Sequence, residues 1–280
     1  MTRVLVIVVS YNGTPWLERC LGSVYPGANT GQFAPDLYVW DNDSTDGSAD
    51  YVAKHFPGAH LVCSAENVGF AKANNMGFQY ALDHGYDYVY LLNQDAWLAP
   101  GALETLVAAA QAHPDYAVLS PLQYQDGYQA FDSQFAKLYH GSVEVKRIMA
   151  AHWLVPVGAL KTVGPFEEEL FPLYGQDDDW CNRARYHKLK VGIVPDAKAV
   201  HDRALRQEPK EKVIRRNYYI GSLIRLCDPN RPLWERFLFV CLFTLVKSVK
   251  YGSLLPFKYF RQICGQLPAV RRHRDFSIRC

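Results

Sequence analysis

The sequence predicts an α/β protein built on a mostly parallel central sheet with helices on both faces. Apolar runs without polar alternation, such as Arg3–Val9 and Tyr88–Leu92, are typical of strands that are covered on both sides. Segments with helical patterns follow these runs at the spacing of β–α units. With 280 residues, about half of them apolar, the chain can bury a full core.

The remaining elements follow from the same patterns. Further strands are predicted at Leu37–Trp40, His60–Cys63, Tyr116–Ser120, Ala151–Val157 and Lys190–Val194. One helix is predicted to start at Thr14, and a second one, capped by Asp46 or Ser48, to run through His55. Further helices are predicted at Gly101–His113, Gly158–Val163, Gln176–Lys188, Glu208–Leu226 and Leu233–Tyr251. Residues 121–150 show no clear period, so we expect a loop or hairpin that covers a substrate.

Charge divides the chain into two parts. Residues 1–205 hold 14 Lys and Arg against 23 Asp and Glu, whereas residues 206–280 hold 16 against 5. We predict a catalytic domain at 1–205, with halves at 1–100 and 101–205, followed by a basic, aromatic helical tail at 206–280. Such a tail indicates an anionic partner, and membrane phospholipid and nucleic acid are the first candidates.

The cysteines and the amino terminus indicate the compartment. Seven scattered cysteines without a Cys-x-x-Cys pair argue against a disulfide framework or a zinc site, and for a reducing environment. The first residues run directly into a strand, without the layout of a signal peptide. We therefore expect a cytoplasmic protein.

Polar side chains follow three of the predicted strands. Ser10-Tyr11-Asn12-Gly13 follows the first strand, Asp41–Ser48 closes the second, and Asn93-Gln94-Asp95 comes after Tyr88–Leu92. Ligands bind at the carboxyl edge of open α/β sheets. Asp95 has the hard oxygen chemistry that suits Mg²⁺ or Mn²⁺ carried by a diphosphate. For Asn93-Gln94-Asp95 alone, a surface turn is an equally good interpretation.

Two further segments carry chemistry. Glu66–Phe78 combines small residues with a glycine before a helix. This pattern favours either an anion bound at the helix start or close packing of the helix on the sheet.

Asp177, Asp178 and Asp179 fall in the first turn of a predicted helix, where the helix dipole accounts for the presence of one or two carboxylates. Crowding raises the pKa of at least one carboxyl and so prepares a general base. His201, just past a strand end, could close the same site, although a lone histidine is more often structural.

Together these segments resemble the family-2 glycosyltransferases, enzymes of the GT-A fold that use nucleotide-diphosphate sugars, and within them the bacterial rhamnosyltransferase-like branch. The resemblance covers residues 3–205, in the order of the family. The matching motifs are Val8–Asn12, Asp41–Ser48, Asn67–Phe70 with Asn74–Gly77, Leu91–Asp95, and Gly175–Cys181 with Arg183.

The resemblance implies a role for each matching residue. The predicted donor-binding residues are Ser10, Tyr11, Asn12, Asp41, Asp43, Asn67, Gly69, Phe70, Lys72, Asn74, Asn75, Asn93 and Gln94. Within this set, Asp41 is expected to accept the N–H of a uracil or thymine ring, with Asp43 near the ribose. Asp95 and His201 are expected to hold the divalent metal, and Asp177 to act as the catalytic base.

Two positions depart from the family pattern. The usual Asp-x-Asp stands here as Asn93-Gln94-Asp95, which removes one formal charge from the metal site. The Glu that usually precedes the catalytic Asp is Gln176, so Asp178 or Asp179 could share the role of the base.

The resemblance implies an inverting transferase. It is expected to move a rhamnose-like, galactose, galactofuranose or GlcNAc residue from a dTDP- or UDP-sugar to a hydroxyl of a growing, lipid-linked surface glycan at the inner face of the membrane. One alternative, a Rossmann-type NAD oxidoreductase, lacks Gly-x-Gly-x-x-Gly after the first strand. The other is a non-enzymatic nucleic-acid-binding protein, which the acidic body disfavours, so no nucleic-acid partner is expected.

The tail allows two interpretations. Leu233–Tyr251 has the composition of an interfacial helix and is too short in its apolar core to span a bilayer. The alternative is a helix that packs on the enzyme's own body or on a second copy, which leaves a homodimer open. The closing Arg271-Arg272-His273-Arg274 is predicted to be a solvated basic end.

Overall fold

A computed structural model describes residues 2–25, 35–202 and 209–279. The predicted domain boundary between residues 205 and 206 and the predicted helix start at Glu208 lie outside the described residues, as does Cys280. The division into domains therefore stays a prediction.

The described strands form one mixed sheet. They are β1 (Val4–Ser10), β2 (Asp36–Asp41), β3 (His60–Cys63), β4 (Tyr88–Asn93), β5 (Ala96–Leu98), β6 (Tyr116–Tyr124), β7 (Glu144–Val145), β8 (His152–Pro156) and β9 (Lys190–His201). Their order is β3-β2-β1-β4-β8-β6-β9-β5, with β7 paired to β9. The first four strands in this order are parallel, whereas β8 and β5 run antiparallel to their neighbours.

Helices cover the sheet and form the carboxyl-terminal region. They are α1 (Thr14–Gly22), α2 (Ser48–His55), α3 (Phe70–Asp83), α4 (Ala102–Ala112), α5 (Val157–Val163), α6 (Gln176–Tyr186), α7 (Lys210–Ile214), α8 (Gly221–Cys227), α9 (Leu233–Tyr251), α10 (Leu255–Gly265) and α11 (Leu267–Arg279). A π-helical turn, Arg215–Ile220, joins α7 to α8. In the described part of the chain, no helix is both long and apolar enough to cross a bilayer.

Strand β1 shows why the sheet is covered on both faces. Leu5 and Ile7 belong to one hydrophobic cluster, and Val4, Val6 and Val8 belong to another. Because alternate side chains point to opposite faces, both faces of the strand are buried. On one face α3 lies so close that a Cβ at Gly77 would be 2.8 Å from Ile7. The predicted α/β class, with flanking helices and a helical carboxyl-terminal region, is confirmed.

Two strands extend beyond their predicted ends. They are predicted to end at Ser120 and Val194, but β6 runs to Tyr124 and β9 to His201. The ladder between them shifts register just after Pro121, from the Pro121–Val194 pair to Leu122–Lys198. A local irregularity therefore accommodates both prolines, which lack the N–H of a regular ladder.

The carboxyl-terminal helices form a third hydrophobic cluster with the body. Leu170 and Phe171 of the body are buried there with Tyr218 of the π-helical turn, Leu223 of α8 and further residues of α9–α11. The prediction of a solvated basic end is wrong for His273 and Arg274, which are both buried in α11. The Arg274 guanidinium donates to the carbonyl oxygens of Leu226, Asp228 and Arg231, and so caps the end of α8.

Candidate active site

The parallel ladders bring the predicted site residues to one edge of the sheet. Ser10 pairs with Asp41 across β1 and β2, and Val9 pairs with Asn93 across β1 and β4. The carboxyl ends of three strands therefore lie side by side, as expected for a ligand-binding edge.

The loop after β1 is held by amide side chains. Gln94 accepts from the Tyr11 backbone N–H at 2.8 Å and donates to the Tyr11 carbonyl at 3.1 Å. Asn12, at a φ of 50°, accepts from the Thr45 N–H at 2.9 Å. A Cβ at Gly13 would lie 2.5 Å from Gln94 Oε1, so a larger residue there would displace the Gln94 side chain. Asn12 and Gln94 thus shape the loop and leave the Tyr11 ring exposed.

Asp41 presents an unusual buried acceptor. Its carboxylate is 3% exposed, and Oδ1 accepts from the Ser44 N–H at 3.0 Å. The second oxygen, Oδ2, is buried and has no hydrogen-bond partner among the described residues, and neither does the buried hydroxyl of the adjacent Ser10. A buried carboxylate oxygen without a donor is costly, which indicates that a ligand supplies one. Asp43 is exposed beside it, at a φ of 68°.

Some residues of the Asn67–Asn75 segment pack against the body, whereas others are exposed to solvent. The Asn74 amide donates to the Phe70 carbonyl within α3, and Asn75 bonds with the backbone of Phe166. A Cβ at Gly69 would lie 2.9 Å from the Pro172 carbonyl oxygen, so close packing explains this glycine. Asn67 and Lys72 remain exposed at the start of the helix.

Asp95 and His201 are neighbours although they are far apart in sequence. The antiparallel pairing of β5 with β9 aligns Ala96 with His201. As a result His201 Nε2 lies 3.5 Å from Asp95 Oδ1, while His201 Nδ1 is buried without a partner among the described residues. A carboxylate and an imidazole at this separation fit a divalent metal.

Two residues near Asp95 and His201 belong to no motif in the sequence and are not among the predicted site residues. Asp202 donates its backbone N–H to the Asp95 carbonyl at 2.8 Å, and its carboxylate accepts from Trp16 Nε1 at 3.1 Å. His152 is fully buried between the Tyr90 hydroxyl and the Val200 carbonyl. Burial lowers the pKa of His152 to about 3, so this imidazole is neutral.

Asp177 has the properties of a base. It lies in the first turn of α6, and burial, reinforced by the negative charge of Asp178, raises its pKa to about 7. The backbone of Ala150 also contacts this carboxylate, while the carbonyl of the next residue, Ala151, accepts from the Asn93 N–H at 3.1 Å. Residues 150–151 therefore connect helix α6 to the segment that carries Asp95.

The two neighbouring aspartates are engaged elsewhere. Asp178 forms an ion pair with Arg147 at 2.9 Å. Asp179 is fully buried between Arg183 Nε and His273 Nε2, each at 2.9 Å. These cations hold the pKa of Asp179 below its usual value. A shared role as base does not suit Asp179, because both of its oxygens are occupied and none of its surface is exposed.

A second group of potential metal ligands includes neither Asp95 nor His201. In the described ranges, Asp179, Cys227 and His273 are the one set of three such residues that converge. Asp179 and His273 are already bonded to each other, and burial raises the pKa of the Cys227 thiol. This group is a structural cluster that needs no metal.

Comparison with known proteins identifies the family. The family model described as "Glycosyl transferase family 2" matches residues 5–147, which is just over half of the chain. The chain belongs to glycosyltransferase family 2. The protein is thus a sugar-transferring enzyme, and both alternatives, an oxidoreductase and a non-enzymatic binding protein, are set aside.

Individual relatives of this family-2 glycosyltransferase are more distant. It is 26% identical over 244 residues to the N-acetylglucosaminyl-diphospho-decaprenol L-rhamnosyltransferase of Mycobacterium tuberculosis, covering 73% of this chain and 78% of that protein. It is also 26% identical over 189 residues to the dTDP-rhamnosyl transferase RfbF of Shigella flexneri, covering 61% and 64%.

A solved structure confirms the GT-A fold of this family-2 glycosyltransferase. The mannosyltransferase PcManGT of Pyrobaculum calidifontis, in complex with GDP-Man and Mn²⁺, superposes with a TM-score of 0.56 at 20% identity. The match covers 98% of this chain and 73% of that one.

Proposed function

We propose that this family-2 glycosyltransferase transfers a deoxyhexose such as rhamnose from a dTDP-sugar, or a related hexose from a UDP-sugar, to a glycan hydroxyl with inversion. The observation that carries the choice of nucleotide is Asp41, because it has one occupied and one unpartnered buried oxygen. A uracil or thymine ring offers a single N–H, at N3, which matches one free acceptor. A guanine edge offers two donors and would need both oxygens.

The base of the proposed reaction is Asp177. In a one-step displacement, the acceptor oxygen attacks the anomeric carbon, the bond to the diphosphate breaks, and the acceptor proton passes to the Asp177 carboxylate. A carboxyl with a pKa of about 7 is ionised in part at neutral pH and still holds a proton well. The charge of Asp178 keeps that pKa high, while Arg147 holds Asp178 in place.

Asp95 and His201 would hold the divalent metal. Their separation of 3.5 Å and the exposure of about a third of Asp95 leave room for diphosphate oxygens to complete the coordination. When bound, the metal neutralises the negative charge that develops on the leaving diphosphate. The Mn²⁺ of the mannosyltransferase supports this assignment, and the residues do not discriminate between Mg²⁺ and Mn²⁺.

The acceptor belongs to cell-surface glycan synthesis in this proposal. Support comes from the two relatives, whose names specify a rhamnosyl transfer to a diphospho-decaprenol and a dTDP-rhamnosyl transfer. A lipid-linked glycan is therefore the acceptor class we expect. The cytoplasmic location, the absence of a nucleic-acid partner and a homodimer stay predictions.

A panel of donors tests the proposal. Thermal-shift measurements with dTDP, UDP, GDP and ADP in the presence of Mn²⁺ should show stabilisation by the two pyrimidine nucleotides. Release of dTDP from dTDP-rhamnose, with a short prenyl-diphosphate GlcNAc as acceptor, should then be lost in Asp177→Asn. Stabilisation by GDP alone, or transfer that survives in Asp177→Asn, would overturn the assignment.

A further inference from the structure

Helix α9 turns a broad apolar face to solvent. Its opposite side is buried through Val240 and Thr244. The exposed apolar residues, 44–85% accessible, are Trp234, Leu238, Phe239, Leu242, Leu245, Val246 and Val249. Their spacing of three or four residues places them on one side of the helix. Leu254 and Phe257, at the junction with α10, are also exposed. We call these nine residues the outer face. A patch of this kind indicates an interaction surface.

The charges around the outer face are mostly positive, with Glu235, next to Trp234 and paired with Arg231, as the one acidic residue of α9. From Arg236 to Arg274 the chain contains Lys and Arg but neither Asp nor Glu. Lys250, Lys258 and Arg261 are exposed within this stretch, and the Lys247 ammonium lies over the Phe243 and Tyr251 rings. From Leu238 onward the outer face is therefore combined with cations that have no nearby acidic residues in sequence.

An apolar face surrounded by cations favours an anionic bilayer over a second copy of the protein as its partner. A second copy packed through the same face would bring together more cations, including Lys250, Lys258 and Arg261, than the single Glu235 of each α9 can pair, which is unfavourable. An anionic bilayer instead accepts the apolar side chains among its acyl chains and the cations among its headgroups. Helix α9, with 19 residues and charges at both ends, lies in the interface rather than across it.

We propose that the outer face docks on a lipid bilayer with anionic headgroups, with α9 parallel to the surface. This inference rests on the proposed function only in that a lipid-linked acceptor would be found at a membrane. Binding to vesicles can be measured without a nucleotide sugar and without sugar transfer.

The outer face is connected to the catalytic helix. The Arg225 guanidinium of α8 lies over the rings of Phe239 and Phe243, at 5.4 and 5.0 Å. Asp178 and Arg147 are close enough to Arg225 to affect its pKa, which burial lowers. Through Phe239 the outer face thus contacts an arginine that lies near the ion pair of Arg147 with Asp178, where an acceptor diphosphate would find positive charge.

Vesicle sedimentation tests the docking surface with the full-length protein. The wild type should sediment with vesicles of phosphatidylcholine mixed with phosphatidylglycerol, bind pure phosphatidylcholine weakly, and lose affinity as salt is raised. The double variant Leu242→Gln/Val249→Gln should reduce the bound fraction at least about fivefold, since it removes two of the most exposed apolar side chains. Both positions are solvent-exposed, so the melting temperature should stay close to that of the wild type.

A matched variant and a second assay complete the test. Val143→Gln/Ile278→Gln replaces two side chains that are each 48% exposed outside the outer face, and it should bind vesicles like the wild type. The proposal would be overturned if the wild type bound no vesicle, or if Leu242→Gln/Val249→Gln bound vesicles as well as the wild type does. It would also be overturned if the wild type were a dimer that Leu242→Gln/Val249→Gln, but not the matched variant, converts to monomers. Binding that persists when no nucleotide sugar is turned over would contradict the proposed function and leave the docking surface intact.

Discussion

His273 Nε2 donates a hydrogen bond to Asp179 Oδ1 at 2.9 Å, and this bond joins the last described helix to the catalytic one. The other ring nitrogen, Nδ1, lies 3.1 Å from Glu167 Oε2. Although burial opposes the charge, the two carboxylates raise the pKa of His273 to about 9. At neutral pH the ring is an imidazolium between two anions, while Arg183 holds the second oxygen of Asp179.

The first prediction concerns stability and pH. The pKa of His273 is about 9 in the folded protein and 6.5 when unperturbed, so its stabilisation is complete below pH 6.5 and disappears as pH rises through 9. At about 1.4 kcal/mol per pKa unit, this corresponds to about 3 kcal/mol. Urea unfolding should therefore show a gap between the wild type and His273→Gln that closes between pH 6.5 and 9.5. His140→Gln, in an exposed loop, is the control; a gap that is independent of pH would exclude the imidazolium.

The second prediction concerns the base. Asp177→Asn should leave donor affinity nearly unchanged and lower kcat by about two orders of magnitude or more, because it removes proton transfer alone. Since burial raises the pKa of Asp177 to about 7, ionisation of this group destabilises the fold at higher pH. Asp177→Asn should accordingly melt above the wild type at pH 8. Loss of activity together with a lower melting temperature would point to a structural role.

The third prediction separates Asp178 from Asp177. Asp178 raises the pKa of Asp177 through its charge, so Asp178→Asn should shift the acidic limb of the kcat profile to lower pH. Activity should survive at neutral pH. An unshifted limb in this variant, with a large loss of turnover, would instead assign proton transfer to Asp178.

The fourth prediction concerns the nucleotide. Asp41→Asn replaces a carboxylate by an amide that accepts more weakly, and we expect about a tenfold or greater loss of affinity for dTDP in calorimetry. Asp50→Asn, exposed on α2, should bind like the wild type. Unchanged affinity in Asp41→Asn would show that the buried oxygen does not contact the base.

The fifth prediction concerns the metal. Asp95→Ala should remove most of the Mn²⁺-dependent part of dTDP binding while leaving the weak metal-free binding in place, because Asp95 supplies the carboxylate of the pair with His201. Titrations with Mn²⁺ and with EDTA separate the two contributions. Equal affinity with and without Mn²⁺ in the wild type would remove the metal from the proposal.

Some relationships could be predicted from the sequence because they are local. The strand ends at Ser10, Asp41 and Asn93 follow from apolar runs that stop at polar residues, and parallel topology then brings them together. Leu233–Tyr251 has the same bounds in the sequence and in the structure, since an aromatic, apolar run begins after Pro232 and ends before Gly252.

Other relationships depend on pairings that no local pattern encodes. Asp202 and His201 meet Asp95 only because β5 pairs with β9. A basic run such as Arg271–Arg274 is usually solvated, and only the helical arrangement of α8–α11 around Leu170 and Phe171 encloses two of its members. The distinct environments of Asp177, Asp178 and Asp179 likewise arise from Ala150, Arg147 and His273, none of which is adjacent in sequence.

The distance in sequence between Asp179 and His273 also affects how the enzyme is made. His273 follows Asp179 by 94 residues, so a ribosome has completed the catalytic motifs well before it adds this imidazole. A buried carboxylate that lacks one of its cations costs several kcal/mol, a large fraction of the stability of a typical domain. A chain interrupted before His273 would carry every catalytic motif and still present an incompletely closed core to proteases. The charge balance around Asp179 is therefore completed only when α11 has been synthesised.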